Sequence, residues 1–227
     1  IKITESGDSL WSKNLSEEII DINGLYLEQT TDSGYVIGGV TNNSLDMDIY
    51  VVKIDTNGDT LWAKTYGNNL LIGLSSIQQT TDEQYILCGY TGIQGIADSR
   101  DVFLMKIDVN GDSLWSKNFG GTNYDVGNFV QQTNDGGYII CGATKSFGNI
   151  NGDIYLIKTD SNGDSLWTKN FGLSDINFGM SVQQTTDDGF IITGEGMTVN
   201  GDLNIFLIKT DSQGNTCLLY TSPSPRD

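Results

Sequence analysis

The chain has 227 residues, of which 29 are Asp or Glu and 12 are Lys or Arg, so its net charge is −17. This charge disfavours nucleic acid and anionic lipid as partners, because both need clustered cations that neutralise phosphates. The sequence contains no His, which excludes catalytic systems built on a histidine base, and it lacks an apolar run of the roughly 18 residues that a membrane span needs. The 28 Gly residues and 37% apolar content favour a folded protein with many tight turns.

A pattern of about 52 residues recurs along the chain. The four Trp residues are spaced by 51, 53 and 52 residues, and four Gln-Thr pairs are spaced by 50, 53 and 52. Two independent markers with one period predict a tandem array. In chain order, the predicted units cover residues 1–47, 48–100, 101–152 and 153–203, and a fifth unit begins over residues 204–216.

Each unit predicts four short strands that are rich in apolar and β-branched residues. The unit of residues 153–203 has an Asn-Gly pair between its first two strands, which predicts a type I′ hairpin turn. We expect the first strand of each unit to be the innermost strand of its sheet. The strands predicted in this unit are Asp153–Thr159, Ser165–Asn170, Met180–Thr185 and Phe190–Gly194.

These features predict an all-β fold, namely a β-propeller of four-stranded antiparallel blades with four blades and the start of a fifth. Four short strands cannot bury both faces of a sheet alone, so neighbouring units are expected to stack. A β-solenoid is the alternative, but its shorter turns do not require a hairpin every dozen or so residues.

Residues 217–227 depart from the repeat. They contain both Pro residues and one of the two Arg residues, and they lack the Trp expected at this point. We interpret this segment as a non-native tail, such as translated adapter sequence at the end of a gene fragment. On this interpretation, the natural protein continues as part of a larger ring.

Cys88 and Cys141 occupy one repeat position, where other units carry Gly38 and Thr193. This position is expected to need a small buried side chain. The two Cys residues are interpreted as buried free thiols, and a disulfide bridge between neighbouring units is the alternative that stays open.

The repeat also resembles known proteins. The pattern Asp-x-Asn-Gly-Asp-x-Leu-Trp-x-Lys-x-Phe-Gly, followed by Gln-Thr-x-Asp-Gly-Gly-Tyr-Ile-Ile-x-Gly, is similar to repeats of large secreted β-propeller proteins of Bacteroidetes-like bacteria. This resemblance covers residues 1–216 and implies an extracellular or cell-surface location and an interaction role. A second resemblance, to the tryptophan-docking repeats of quinoprotein propellers, implies that the repeated Trp residues pack between adjacent blades. These residues are Trp11, Trp62, Trp115 and Trp167.

Two groups of carboxylates are candidates for a calcium site. The Asp160–Asp164 turn and its equivalents supply oxygen ligands at positions 1, 3 and 5 of a calcium loop, but position 12 is Phe171 rather than Glu. We therefore interpret them as turns capped by Asp. Asp48, Asp101 and Asp153 begin their units and are expected to rim one mouth of the channel, as a cation or polar-ligand site or as strand-entry residues paired with the repeated Lys.

The expected function is non-catalytic binding of a protein or glycan by a secreted or cell-surface propeller, with no catalytic residue, no cofactor-binding residue and no cofactor other than possible calcium. The loops that differ between units are the better candidates for recognition, because packing does not constrain them. The alternatives are a fragment of a quinoprotein-like or carbohydrate-active enzyme whose site lies outside this piece, and a structural spacer. A unit-specific cluster of His, Arg and carboxylate would favour the enzyme, and none is evident. The variable loops cover residues 42–47, 92–100, 146–152 and 195–202.

Overall fold

The computed structural model describes residues 1–13, 22–43, 46–67, 71–93, 96, 99–172, 175–198 and 200–223. Within these ranges, all regular structure is β-strand. None of the described segments forms a helix long and apolar enough to cross a membrane. The strands are β1 (Lys2–Ile3), β2 (Ser9–Trp11), β3 (Ile22–Gln29), β4 (Tyr35–Asn43), β5 (Asp46–Ile54), β6 (Thr60–Tyr66), β7 (Leu71–Gln79), β8 (Tyr85–Gly92), β9 (Asp101–Ile107), β10 (Ser113–Phe119), β11 (Asp125–Gln132), β12 (Tyr138–Thr144), β13 (Asp153–Thr159), β14 (Ser165–Phe171), β15 (Ile176–Gln184), β16 (Phe190–Met197), β17 (Leu203–Thr210) and β18 (Thr216–Pro223).

The strands β3 to β18 form four antiparallel sheets of four strands, which we call blades 1 to 4 in chain order. β1 and β2 form a separate hairpin, and a single parallel bridge between Met47 and Leu71 links blades 1 and 2. Each blade packs against the next. The prediction of propeller blades is therefore confirmed. Among the described strands, blade 4 does not pack against blade 1 as successive blades pack against each other, so the four blades form an open arc.

The blades group the strands differently from the predicted units. The unit boundaries after residues 47, 100, 152 and 203 fall at or within two residues of the start of the third strand of each blade. In a series of consecutive hairpins the sequence pattern is the same from any starting strand, so the pattern does not show where a blade begins. Strand pairing stops at the links between blades, whose sequences are less regular. As a result, β17 at the predicted start of a fifth unit completes blade 4, and the partial blade is the β1–β2 hairpin.

The segment interpreted as a non-native tail takes part in blade 4. β18 pairs with β17, and Leu218 lies opposite Lys209, in the register that Trp167 occupies opposite Lys158. Leu218 is 59% exposed. The segment therefore continues the strand pattern of the blade while lacking its aromatic residue.

The innermost strand of each blade is the first strand of the sheet, and this corrects the expectation for the strands that begin at Asp48, Asp101 and Asp153. β3, β7, β11 and β15 contact one another in succession and together line a cavity of about 740 Å³. The three Asp residues lie at or near the start of β5, β9 and β13, which are third in their sheets. The hairpin signals in the sequence identify neighbouring strands, but they do not show which strand faces the axis.

The core lies between the blades. The second and third strands of blade 3, β12 and β13, are buried at every position. One apolar cluster joins Cys88 and Leu104 of blade 2 to Val130 and Ile140 of blade 3. Packing on both faces explains why these strands read as continuous apolar runs rather than as an alternation.

The turn that was predicted to be of type I′ lies between the third and fourth strands of each blade, and its conformation is different. In the turn that begins at Asp55, Gly58 has a φ of 81°, whereas Asn57 is not among the residues with positive φ. The Oδ1 atom of Asp55 accepts the backbone N–H groups of Asn57 and Asp59 at 2.8 and 2.9 Å. Asp at the first position favours a type I turn, and the following left-handed Gly completes the three-residue hairpin with a bulge.

The connections divide the arc into two faces. The turns between strands one and two and between strands three and four lie on one face, which we call the turn face, and their sequences repeat. The loops between strands two and three and the links between blades lie on the opposite face, the loop face, and their sequences differ. Residues that are specific to one blade therefore collect on the loop face.

Candidate binding site on the loop face

The repeated Trp residues lie between blades on the turn face. Trp62 of blade 1 donates its Nε1–H to the carbonyl oxygen of Val109 in blade 2 at 2.9 Å and packs against Gly111, where a Cβ atom would lie 2.9 Å from the ring. Its ring also meets the edge of Tyr85, with centroids 6.0 Å apart. Trp11, Trp115 and Trp167 contact Gly58, Gly163 and Gly214 in the same way.

One set of repeated Lys residues forms ion pairs between blades. Lys13, Lys64 and Lys117 contact Asp59, Asp112 and Asp164 of the following blade at 2.7, 2.9 and 2.7 Å. At the next equivalent position, Lys169 donates to the side-chain oxygen of Asn215 at 3.1 Å. The last carboxylate of each Asp-x-Asn-Gly-Asp turn thus contacts a Lys, while the first carboxylate accepts backbone N–H groups.

The second set of repeated Lys residues is buried within the blades. Lys158 has a relative exposure of 4%, and its Nζ atom lies 2.9 Å from Asp135 in the turn between β11 and β12. Burial raises the pKa of Asp135, but hydrogen bonds from Thr133 and Lys158 outweigh it and lower this pKa to about 2. Equivalent pairs join Lys53 to Asp32, Lys106 to Asp82 and Lys209 to Asp187.

The three predicted rim carboxylates lie at the loop-face ends of third strands, one in each of blades 1 to 3. Asp48 lies against Gly67. Asp153 has only 3% exposure, and its Oδ2 atom accepts hydrogen bonds from the Asn149 N–H and Asn170 Nδ2, both at 3.1 Å. Its Oδ1 atom is buried without a hydrogen-bond partner among the described residues.

Asp101 is part of a carboxylate pair that the sequence did not reveal. An oxygen of Asp101 and one of Asp125 both lie within 2.6 Å of the place that a Cβ atom on Gly120 would take. Burial raises the pKa of Asp101, and the nearby Asp125 carboxylate raises it further. Within the described parts of the chain, no group of three or more Cys, Asp or Glu side chains is arranged to hold a metal ion.

Two cations that stand outside the repeat lie beside one aromatic ring on the loop face. The guanidinium carbon of Arg100 lies 4.6 Å from the ring centroid of Tyr90 and 5.2 Å from that of Tyr124. The Nζ atom of Lys145 lies 5.6 Å from the Tyr124 centroid. We call Tyr90, Arg100, Tyr124 and Lys145 the basic aromatic cluster.

Backbone pairing holds the cluster together across the boundary of blades 2 and 3. The Asp125 N–H donates to the Arg100 carbonyl oxygen at 2.7 Å, and the Lys145 N–H donates to the Tyr124 carbonyl oxygen at 2.8 Å. The link between the blades therefore lies between the two loops that carry the cations. Both contacts join main-chain groups, so they fix the backbone positions of Arg100, Tyr124 and Lys145 relative to one another.

A buried carboxylate, Asp125, stabilises the link beside the basic aromatic cluster. Asp125 has 0% exposure. Its oxygens accept hydrogen bonds from the Gly121 N–H at 2.8 Å, from Ser146 Oγ at 2.5 Å and from Thr144 Oγ1. The equivalent positions are Ile22 in blade 1, Ile72 in blade 2 and Asn177 in blade 4, so among the four described blades only blade 3 has a carboxylate here. A buried charge with several donors is rigid and ties the link of residues 121–125 to the loop after β12.

The structure shows a group of Arg and carboxylate residues at one link that the sequence did not reveal. Arg100, Asp101 and Asp125 come together around one link, although no His is present. A signal in the sequence does point to this place. Arg100 and Lys145 are the cations outside both Lys repeat positions, apart from Arg226 in the tail. They are 45 residues apart along the chain, so the sequence does not show that both lie beside Tyr124.

The channel cavity is a second region that the sequence did not indicate. Each of β7, β11 and β15 contains a bulge, and the extra residues Ser75, Asn128 and Met180 all line the cavity. Bulges redirect side chains and interrupt pairing. An inserted residue breaks the alternation of the strand, so these side chains could not be assigned to the channel from the pattern.

The comparisons with known proteins provide no family for this chain. No family model and no curated protein matches it. Among solved structures, the chain is similar to one described as a crystal structure of the eukaryotic initiation factor, with 9% sequence identity and a TM-score of 0.40. The match covers 88% of this chain and 55% of that chain, so this chain spans about half the length of the solved one.

Proposed function

We propose that this chain is a non-catalytic binding module, part of a secreted or cell-surface β-propeller that recognises a protein or glycan through its loop face. The bacterial, extracellular type rests on the resemblance of the repeat. The blades serve as a rigid support, and the loops and links supply recognition.

The main support for this proposal is the difference in sequence between the turn face and the loop face. On the turn face, the repeated Lys, Asp and Trp side chains contact one another, so little is left for a ligand. On the loop face, each blade carries different residues, including the basic aromatic cluster and the exposed Ile150. A purely structural spacer has no need for such differences.

A blocking experiment tests the proposal. In a Cys217→Ser background, Ile150→Cys on the loop face and Ser161→Cys on the turn face are each labelled with a bulky polyethylene glycol maleimide. The remaining thiols, Cys88 and Cys141, are buried. Each labelled protein is then applied to an array of glycans and extracellular proteins.

We expect the wild type to bind members of the array, the label at residue 150 to abolish binding and the label at residue 161 to leave it intact. Silence of the wild type across the array would favour the structural spacer. Loss of binding only with the label at residue 161 would assign recognition to the turn face and contradict the proposal.

An enzyme is the second candidate, because the Asp101–Asp125 pair provides a carboxyl group of raised pKa beside a cation-bearing loop. Glycoside hydrolysis uses two carboxyl groups, one as an acid and one as a base or nucleophile. The Asp101→Asn variant separates the two functions. An enzyme would lose turnover of a bound glycan, whereas a binding module has no turnover to lose.

Calcium at Asp48, Asp101 and Asp153 stays a prediction. If calcium binds there, addition of a chelator will lower the melting temperature, and the matched Asp101→Asn variant will respond less. An unchanged melting temperature would remove calcium from the account.

A further inference from the structure

The two loop-face cations differ from the repeated Lys residues in their surroundings. Neither Arg100 nor Lys145 forms an ion pair within 4.0 Å of a carboxylate among the described residues, whereas seven of the nine repeated Lys residues do. Of the other two, Lys169 donates to Asn215 and Lys2 lies over the ring of Tyr35. In a chain of net charge −17, two cations that lie beside one ring without such a partner are unusual, because carboxylates are abundant.

Aromatic rings rather than carboxylates hold these cations. A cation over a Tyr face is attracted by the ring but keeps its full charge and its N–H donors. The guanidinium of Arg100 lies over two rings, with one of its N–H groups 3.4 Å from the Tyr124 hydroxyl oxygen. A guanidinium stacked in this way keeps edges from which it can donate two parallel hydrogen bonds to a carboxylate.

The two local positive charges and the negative net charge of the chain together favour a small anion as the ligand. A polyanion or an acidic protein surface would be repelled by the excess negative charge of the whole chain. A single carboxylate on an otherwise neutral molecule gains the local attraction of two cations and brings only one charge into that field. Stacking of an apolar sugar face is not favoured here, because the cations already lie over the rings.

The surroundings of the cluster are polar and exposed. Thr122 and Asn123 in the link between blades 2 and 3 are exposed and immediately precede Tyr124. Asn123 is held in place, because its N–H donates to Ser146 Oγ at 3.0 Å. Hydroxyl and amide groups beside a cationic site are suited to the hydroxyls of a sugar.

We infer that Arg100, Lys145 and Tyr124 form a binding site for the carboxylate of a sugar acid, with Arg100 donating to the carboxylate and Lys145 supplying the second positive charge. This inference rests on the proposed function, since it names the ligand class that the loop face takes. Tyr90 and Asp125 position the site, because they fix the guanidinium and the link.

The test is calorimetric titration with sodium glucuronate, using glucose as the matched neutral sugar. The wild type is expected to bind glucuronate and not glucose, and added salt is expected to weaken the binding. Arg100→Gln should lower the affinity at least about tenfold, and Lys145→Gln several-fold, since each removes one charge-assisted interaction. Arg100→Lys, which keeps the charge but loses the planar fork, should lie between the wild type and Arg100→Gln.

Lys64→Gln on the turn face is the matched control and should bind glucuronate like the wild type. Thermal melts of all variants show whether each is folded, and the graded effect of Arg100→Lys distinguishes loss of recognition from loss of structure. Equal binding of glucose, or unchanged affinity in Arg100→Gln, would overturn the inference.

A second arm uses N-acetylglutamate amide as the probe. Binding of this compound as tightly as glucuronate would overturn the assignment to a sugar acid and favour an acidic side chain of a protein. If the label at residue 150 blocks array binding while glucuronate does not bind, the inference fails and the proposed function stands. If no array member binds either, both fail.

Discussion

At the scale of single residues, the turns between first and second strands contain left-handed positions that are not always Gly. Ser33, Glu83 and Asp188 have φ values of 64°, 62° and 60°, where blade 3 has Gly136 at 81°. The side chain adds strain in this conformation, whereas Gly adopts it freely. Glu83 has the longest side chain of the three, with no short polar group to stabilise the conformation locally.

Replacing Glu83 of blade 2 with Gly should therefore raise the stability, whereas replacing Gly136 of blade 3 with a residue that has a side chain should lower it. Glu83→Gly is expected to raise the free energy of unfolding by about 0.5 kcal/mol, because relief of strain slightly exceeds the greater freedom of the unfolded chain. Gly136→Ala is expected to lower it by about 1 kcal/mol, although the space around Gly136 is open. Urea denaturation measures both variants, and a loss of stability in Glu83→Gly would contradict the account.

The buried Lys pairs predict a dependence of stability on acid pH. Asp135 has a native pKa of about 2, below its ordinary value of 3.8. The unfolded chain therefore binds more protons between about pH 4 and pH 2, and the stability supplied by the pair is lost as the pH falls through that window.

Asp135→Asn should lower the free energy of unfolding at pH 6 by about 1–2 kcal/mol, because it leaves the Lys158 ammonium buried without its counter-charge. The Asp135 carboxylate is 58% exposed, so solvent screening keeps this loss below that of a fully buried pair. The gap between variant and wild type should shrink towards pH 2, where the wild-type carboxyl is protonated. A gap that stays constant between pH 6 and pH 2 in urea titrations would show that the charge has no role.

At the scale of elements, the blade interfaces match large residues with small ones. At the interface of blades 1 and 2, Leu74 faces Gly38, where a Cβ atom would lie 2.4 Å from its Cδ2. At the next interface the sizes are reversed, because Cys88 faces Gly127, and a Cβ there would lie 2.4 Å from Sγ. Cys141 and Gly179 repeat the second arrangement. Both thiols are free in the structure, so packing rather than a disulfide explains the repeat position.

This complementarity predicts that two harmful substitutions compensate each other. Gly127→Leu should cost about 2–3 kcal/mol by overpacking, and Cys88→Gly about 1–2 kcal/mol by leaving a cavity. The double variant recreates the Gly38–Leu74 pair and should recover part of the loss, with a coupling of about 1–2 kcal/mol. A double-mutant cycle in urea measures the coupling, and purely additive losses would contradict the proposed packing.

The sequence predicted the elements better than their assembly. β13 begins and ends where its apolar run predicts, because local patterning and the Asn-Gly signal mark strands and hairpins. The grouping of strands into blades was not predicted, since it depends on where pairing stops. The type I turn at Asp55 was also missed, because the side chain of that residue rather than the Asn-Gly pair determines the turn.

At the scale of the whole molecule, the arc combines a uniform face with a varied one. The repeat period made the propeller predictable, because the same packing recurs at each interface. The candidate site could not be predicted in the same way. Arg100, Tyr124 and Lys145 belong to different elements of two blades, and only the path of the link between the blades brings them together.

The central claim is that binding takes place on the loop face at the boundary of blades 2 and 3. The most direct test is a two-dimensional amide NMR titration of the isotopically labelled chain with sodium glucuronate. We predict that the amide signals of Arg100, Asp125 and Ser146 shift to saturation, while those of Gly58, Gly111 and Gly163 on the turn face do not move. Shifts centred on the turn face, or no shifts at any amide, would contradict the claim.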